Sequence, residues 1–263
     1  MLHPTYNLFL AVYLAHLLTD FVFQTDRLVS EKQRGEWRGY LVHGATHYIA
    51  VLAIVAVADP HRFLTLYFQA VAVSLSIVHL IVDWTKLSLT NSRRMPGNAL
   101  AFVLDQTIHL ATVIAAVLLL VRPPLQTFAF SWMRIRLLQE TILLVLVVYL
   151  FVIFGGGYFI RVLIGPLWRE DPGQQTKERE EVINAGLYIG WLERFLVLTA
   201  LFLQSPATVG FILAAKSIAR YPELKSVRFA EYFLIGTLLS MSIAIGGAIV
   251  LLQALYGTVT FGK

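Results

Sequence analysis

The fold class the sequence predicts is all-α: a polytopic membrane helix bundle of about eight transmembrane helices. Three observations predict it. Of 263 residues, 57% are hydrophobic and only 14% charged, and the mean hydropathy is +0.70. Soluble domains carry roughly 25% charged residues. Apolar stretches of the roughly 20 residues that cross a hydrocarbon core recur along the whole chain. Finally, Lys and Arg gather in alternate connections between those stretches, as the positive-inside rule requires of a membrane protein.

The expected spans are 6–24, 38–58, 64–86, 98–121, 138–164, 184–204, 207–221 and 229–255. The seventh is short, begun by Pro206 and stopped by Pro222, and reads as a tilted or half-inserted helix. Met1–Asn7 has neither a positive n-region nor a small-residue cleavage site, so the first stretch is expected to be a retained span. One set of connections holds Arg27, Lys32, Arg34, Arg38, Lys86, Arg93, Arg94, Arg161, Arg169, Lys177, Arg179, Lys216, Arg220, Lys225 and Arg228, fifteen in all. The opposite set holds five, Arg62, Arg122, Arg134, Arg136 and Lys263, with Arg194 inside a span. The first side is therefore expected to be cytoplasmic and both termini to lie outside.

The polar run Trp168–Ile183 divides a front unit from a back one. The expected organisation is a four-helix unit over 1–122 and a C-terminal transmembrane unit over 123–263, with a cytoplasmic loop at 166–183. The front unit reads as two hairpins in parallel repeat, the back as four further helices. The chain has no cysteine, which excludes disulfides and thiolate ligands. A net charge of +5 follows from cytoplasmic Lys and Arg and does not call for nucleic acid.

Four front helices each carry a pair of metal-ligand types at i, i+4: His16 and Asp20, His43 and His47, His79 and Asp83, Asp105 and His109. Residues four apart share a helix face, so each pair points at one place. Each pair also begins near the expected cytoplasmic end of its span. At 1.5 Å rise per residue all eight lie in one layer, roughly 5–16 Å below that surface. His16 and Asp20 recur 63 residues later as His79 and Asp83; His43 and His47 recur 62 residues later as Asp105 and His109. A two-fold axis along the membrane normal is expected of such a parallel repeat. His3 and His61 fall at a terminus and in a loop and look incidental.

An ionised Asp at membrane depth costs about 2.5–3.5 kcal/mol on the lenient scale. Three aspartates among five imidazoles therefore call for a cation or for one another. Nitrogen and carboxylate donors without thiolate fit Zn²⁺ first, then Fe²⁺ or Mn²⁺, in one or two ions. A lone histidine in a span is ordinarily a packing residue, but four pairs at one depth argue for a shared centre. A metal-free proton path stands as the competing reading. Bis-His haem would leave the aspartates without a purpose. Lys32, Arg34, Arg38, Lys86, Arg93 and Arg94 ring the mouth. Lys86, one turn beyond Asp83, is expected either to bind a substrate anion or to compensate Asp83. Gln24 and Gln106 are candidates to orient ligands.

The run HLLTDFVFQTDRLVSEK, followed by HGATH, HLIVDWTK and DQTIH, resembles an uncharacterised bacterial integral membrane family, domain of unknown function number 3307, over roughly residues 10–120. That resemblance implies a membrane protein of the bacterial inner membrane and no established activity. A looser similarity links the His/Asp spacing to families labelled membrane-bound metal-dependent hydrolases, by analogy only.

In the back half, Gly186 and Gly190, Gly155–Gly157, and Gly246 and Gly247 are small-residue positions that predict close helix packing or homodimerisation. Glu193 and Arg194 need partners inside the span, for which Lys216 and Glu231 are the candidates. Three functions stay open. One is a metal-dependent hydrolase of a lipid-linked or amphiphilic ester or phosphoester, using metal-activated water with an Asp of the cluster as base. The second is a divalent-metal or proton transporter built on the same cluster, and the third a structural module stabilised by metal.

Overall fold

The computed structural model describes residues 3–92, 98–122, 138–165 and 176–257. Every regular element among them is helical, 91% of the structure with no strand. In the first part of the chain α1 spans His3–Leu18 and runs into a π-turn at Thr19–Phe23. Then come α2 (Asp26–Gln33), α3 (Trp37–Ala58), α4 (Pro60–Phe63), α5 (Leu66–Asn91), α6 (Ala99–Val121) and α7 (Leu138–Leu150). A second π-turn at Phe151–Gly155 leads to α8 (Gly156–Ile164), followed by α9 (Thr176–Phe202), α10 (Pro206–Ala219) and α11 (Val227–Tyr256).

Six helical stretches are long and apolar enough to cross a membrane: Thr5–Phe23, Trp37–Ala58, Leu66–Asn91, Ala99–Val121, Leu138–Ile164 and Phe229–Tyr256. The chain is a multi-pass membrane protein. The other two expected spans fall short of that set for physical reasons. Helix α9 carries Glu193 and Arg194 and starts at Thr176, inside the run expected to be a loop, whose residues 166–175 lie outside the described residues. Helix α10 has 14 residues, about 21 Å of rise, too little for a core about 30 Å thick.

The chain forms two compact units, Met1–Val147 and Val148–Lys263. In the first, α1 packs on α3 and α6, α3 on α5, and α5 on α6, which closes a four-helix ring. Exchanging α1 with α5 and α3 with α6 maps that set of contacts onto itself, as the sequence repeat demands. Its polarity is inverted relative to a soluble bundle. Ile49, Val57, Leu66, Ile77, Ile81 and Leu104 face outward, while histidines and aspartates lie inside. Lipid removes the reason to hide apolar side chains and supplies one to hide polar ones.

Helix ends follow local chemistry. Thr25, Thr65 and Asn98 accept from Leu28, Phe68 and Ala101 backbone N–H groups and start α2, α5 and α6. Short α2 lies against α3 because Gly39 presents no side chain; a Cβ there would stand 2.9 Å from Glu31 Cβ and 3.0 Å from the Lys32 nitrogen. That close approach turns Glu31 and Lys32 inward, and both are buried. In the second unit α9 packs on α10 and α11, and α8 on α11. Gly247 of α11 meets Val152 and Val148, whereas Gly186 and Gly246 face open space.

Candidate metal centre

Each of the four long helices of the first unit delivers its pair to the interior of the ring. His16, His43, His47, His79 and His109 are each about 1% exposed, and Asp83 and Asp105 are buried beside them. Asp20 sits in the π-turn that ends α1, where widening of the helix re-aims its carboxylate. All eight expected residues thus meet within one cluster.

Donor atoms converge in three groups. Asp20 Oδ1 stands 3.5 Å from His43 Nε2 and 3.2 Å from His79 Nε2, and those two nitrogens are 2.9 Å apart. A cation with ligands at 2.0–2.1 Å in tetrahedral array has edges of about 3.3 Å between ligand atoms, so this trio has the dimensions of one face of such a polyhedron. His16 Nε2 lies 3.8 Å from Asp20 Oδ2. A second trio joins Asp83, Asp105 and His109, with His109 Nε2 3.4 Å from Asp83 Oδ1 and 3.5 Å from Asp105 Oδ1. The third is His16, His79 and His109. His79 and His109 each belong to two groups, His47 to none. His47 stacks on His79, with ring centroids 4.5 Å apart. Its Nδ1 lies 2.9 Å from Ser76 Oγ, and that hydroxyl donates to Ala72 O. Since the hydroxyl proton is committed to the carbonyl, His47 Nδ1 is the donor to Ser76, which leaves Nε2 with its lone pair.

The two lysines define the charge. Lys32 Nζ donates to Asp83 Oδ2 at 2.6 Å and to Gln24 Oε1 at 2.7 Å. Lys86 Nζ donates to Asp105 Oδ2 at 2.7 Å, and Gln106 Nε2 reaches the same oxygen at 3.3 Å. The expectation that Lys86 compensates Asp83 is corrected here. Asp83 is taken by Lys32, which lies within the cluster rather than at its mouth, and Lys86 pairs across to α6. Gln24 orients that lysine; Gln106 orients a carboxylate, as expected. Arg93 and Arg94 lie outside the described residues. Three aspartates against two lysines leave a net charge of −1 with neutral imidazoles. The uncompensated carboxylate is Asp20, which meets no Lys or Arg among the described residues.

Several buried polar atoms here also lack hydrogen-bond partners: both ring nitrogens of His16, Asp20 Oδ1, Asp105 Oδ1 and His109 Nε2. A buried polar atom left unmatched costs about 1–3 kcal/mol. Five such atoms within one cluster are available to a bound cation or to water. Beside the cluster an open cleft of about 410 Å³ is lined by Lys32, Tyr40, Trp84, Ser88 and Asn91, among others.

Sequence reasoning missed Ser76 and the inward turn of Glu31 and Lys32. Ser76 carried a usable signal, lying three residues before His79 on the same helix. Lys32 carried none, because a short polar helix after a span reads as a loop.

Residues 8–138 match the model of the family described as Protein of unknown function (DUF3307). The front unit is a DUF3307 domain. The match runs further than the 10–120 expected and takes in every residue of the cluster. No curated protein and no solved structure matches the chain. The DUF3307 domain is thus a buried His/Asp centre in a membrane ring, and its chemistry has to be argued from that geometry.

Proposed function

We propose that the DUF3307 domain is a membrane metalloenzyme. It would hold one divalent cation, zinc first and iron or manganese next, and hydrolyse an ester or phosphoester of a lipid-linked or amphiphilic substrate near the cytoplasmic leaflet of a bacterial inner membrane. Both termini would lie outside. The observation that carries this is Asp20, a carboxylate without a lysine among the described residues, whose Oδ1 is set among imidazole nitrogens at polyhedral spacing and has no hydrogen-bond partner. A net charge of −1 favours a single ion over two.

Asp20, His43 and His79 would hold the cation, with His16 completing the set. Bound there, a divalent cation supplies a water acidified toward neutral pH and polarises a phosphoryl or carbonyl oxygen. Asp105 suits the general-base role, since Oδ1 has no partner while Oδ2 is fixed by Lys86 and Gln106. The cleft beside Lys32 gives a headgroup a place to approach. Trp84 and Tyr40 are residues of the kind that sit at membrane–water boundaries.

The test is purified protein assayed for metal content and for turnover on a panel of phospholipid, prenyl phosphate and carboxyl ester substrates. The expected result is about one zinc per chain and cleavage of one class. Metal present with no turnover across the panel contradicts the enzyme reading.

A second reading draws on one further observation. His43, His79 and His109 form a ring-to-ring chain at 2.9 and 3.1 Å, which is the geometry of a proton relay. Under that reading a proton replaces the cation as the partner of Asp20. Proton or metal flux into liposomes, abolished by Asp20→Asn, which strands no lysine, would establish transport in place of hydrolysis.

A further inference from the structure

The buried charges of the second unit find partners inside it. Lys216 Nζ donates to Glu193 Oε2 and Thr237 Oγ1, and Arg194 donates to Ile153 O and Ser240 Oγ. Glu231, the other candidate partner, is exposed. The cleft of the first unit differs, because its polar lining has bonding capacity left over. It lies between the C-terminal ends of α2 and α5 and measures about 410 Å³, inside the roughly 300–1,000 Å³ of small-molecule sites. Trp84, 58% exposed, lines it. The side chains of Gln33, Ser88 and Trp84 make no hydrogen bond among the described residues. Three more lining residues present acceptors. Tyr40 Oη donates its proton to Lys32 O at 3.3 Å, and Ser92 Oγ donates its own to Leu89 O at 3.1 Å. Asn91 Nδ2 donates to Gln33 O at 3.3 Å, which leaves Oδ1 open.

This lining decides the charge of an occupant. Lys32 is the one charged group among the described lining residues, and its Nζ is bonded to Asp83 and Gln24 at 2.6 and 2.7 Å. Both α2 and α5 end at the cleft, at Gln33 and Asn91, and a helix C-terminus carries partial negative charge. An oxyanion only accepts hydrogen bonds, so it would meet three acceptors and two negative helix ends. An ammonium would stand beside Lys32 and offer nothing to the Trp84 N–H, which only donates. A polyol hydroxyl both donates and accepts. It therefore answers the acceptors of Tyr40, Asn91 and Ser92 as well as the donors of Gln33, Ser88 and Trp84. The C–H face of a sugar ring also suits the negative face of an indole.

We infer that this cleft binds a neutral sugar ring, supplied by a glycolipid headgroup or by a free sugar. Lys32 joins the cleft to the cluster, since it lines the one and bonds Asp83 in the other. The sugar would then be the headgroup of the substrate in the proposed hydrolysis. That assignment rests on the hydrolase reading, whereas sugar binding itself needs no metal. If Trp84 only anchors α5 at the membrane boundary, no preference for sugar follows.

The test uses the full chain in a polyoxyethylene detergent, which carries no sugar, both metal-loaded and chelator-treated. Thermal melting is followed against glucosyl and galactosyl diacylglycerol in one arm and against the two methyl glycosides in the other. Phosphatidic acid and phosphatidylcholine with the same acyl chains serve as the anionic and ammonium controls. The expected result is a saturable rise in Tm with a sugar probe in at least one arm, with or without metal, and none with either control; the arm that responds names the source. Trp84→Ala should weaken the apparent affinity about tenfold, and Trp84→Phe, which keeps an aromatic face, should recover part of it. Ser88→Ala, which removes one hydrogen bond, should cost about fivefold. Trp37→Ala, at an exposed aromatic outside the cleft, should change nothing. No saturable rise with any sugar probe, an equal rise with a control lipid, or unchanged affinity in Trp84→Ala overturns the site. Sugar binding without metal or turnover removes the hydrolase and keeps the cleft; turnover without sugar preference does the reverse.

Discussion

Replacing Asp20 by Asn separates two roles that a carboxylate can play in this cluster. In the wild type Asp20 is the unpaired negative charge, while Asp83 and Asp105 are each bonded to a lysine at 2.6 and 2.7 Å. Asp20→Asn therefore removes a ligand without stranding a lysine. Structural zinc binding is worth about 10–16 kcal/mol over four ligands, so about 3 kcal/mol each, and the expected loss of affinity is roughly 100-fold. The metal-free bundle should be no less stable, because a buried charge has become neutral. Asp83→Asn does the reverse. It leaves Lys32, 4% exposed, without its counter-ion, and breaking such a pair costs about 3–5 kcal/mol. The assay is thermal melting of purified wild type and both variants, with and without chelator, alongside elemental analysis. Chelator should lower the Tm of the wild type, strip Asp20→Asn at roughly 100-fold weaker competition, and find Asp83→Asn already low. Equal behaviour of the two variants, or an unchanged metal affinity in Asp20→Asn, refutes the charge ledger.

Three further outcomes follow from the same geometry. Lys32→Met makes the cluster −2 and should raise the metal content from about one toward two ions per chain, read by elemental analysis. His79→Ala, which removes a member of two donor groups, should cost more metal affinity than His47→Ala, whose imidazole belongs to none; competition with a chromophoric chelator measures both. Gly39→Ala drives a Cβ to 2.9 Å from Glu31 Cβ and 3.0 Å from the Lys32 nitrogen. It should destabilise the first unit by about 1–3 kcal/mol and weaken the Lys32–Asp83 contact, seen as a lower Tm.

Much of the ring was legible in the amino-acid order, because membrane helices declare themselves by length and the i, i+4 rule fixes a face. His16/Asp20 and His79/Asp83 share a spacing, a span depth and a repeat, so their meeting followed from periodicity alone. What stayed hidden depends on contacts between distant elements. Lys32 bonds Asp83 across 51 positions, through a short helix whose sequence shows no apolar stripe. Lys86 was expected either to bind a substrate anion or to compensate Asp83 one turn away, yet its long side chain reaches Asp105 on the next helix. Arg194 could be recognised as needing a partner, but only the structure shows that the Ile153 carbonyl and the Ser240 hydroxyl supply it. Of the eight expected spans, six stretches are long and apolar enough to cross a membrane; α10, already short in the sequence, and α9, which carries Glu193 and Arg194, lie outside that set.

Zinc K-edge X-ray absorption on the purified chain tests the central claim most directly. One zinc per chain with nitrogen and oxygen neighbours at about 2.0–2.1 Å and no sulfur shell is the result expected of Asp20, His43, His79 and His16. A preparation grown with ample zinc, iron and manganese that contains none of them at this cluster would contradict it.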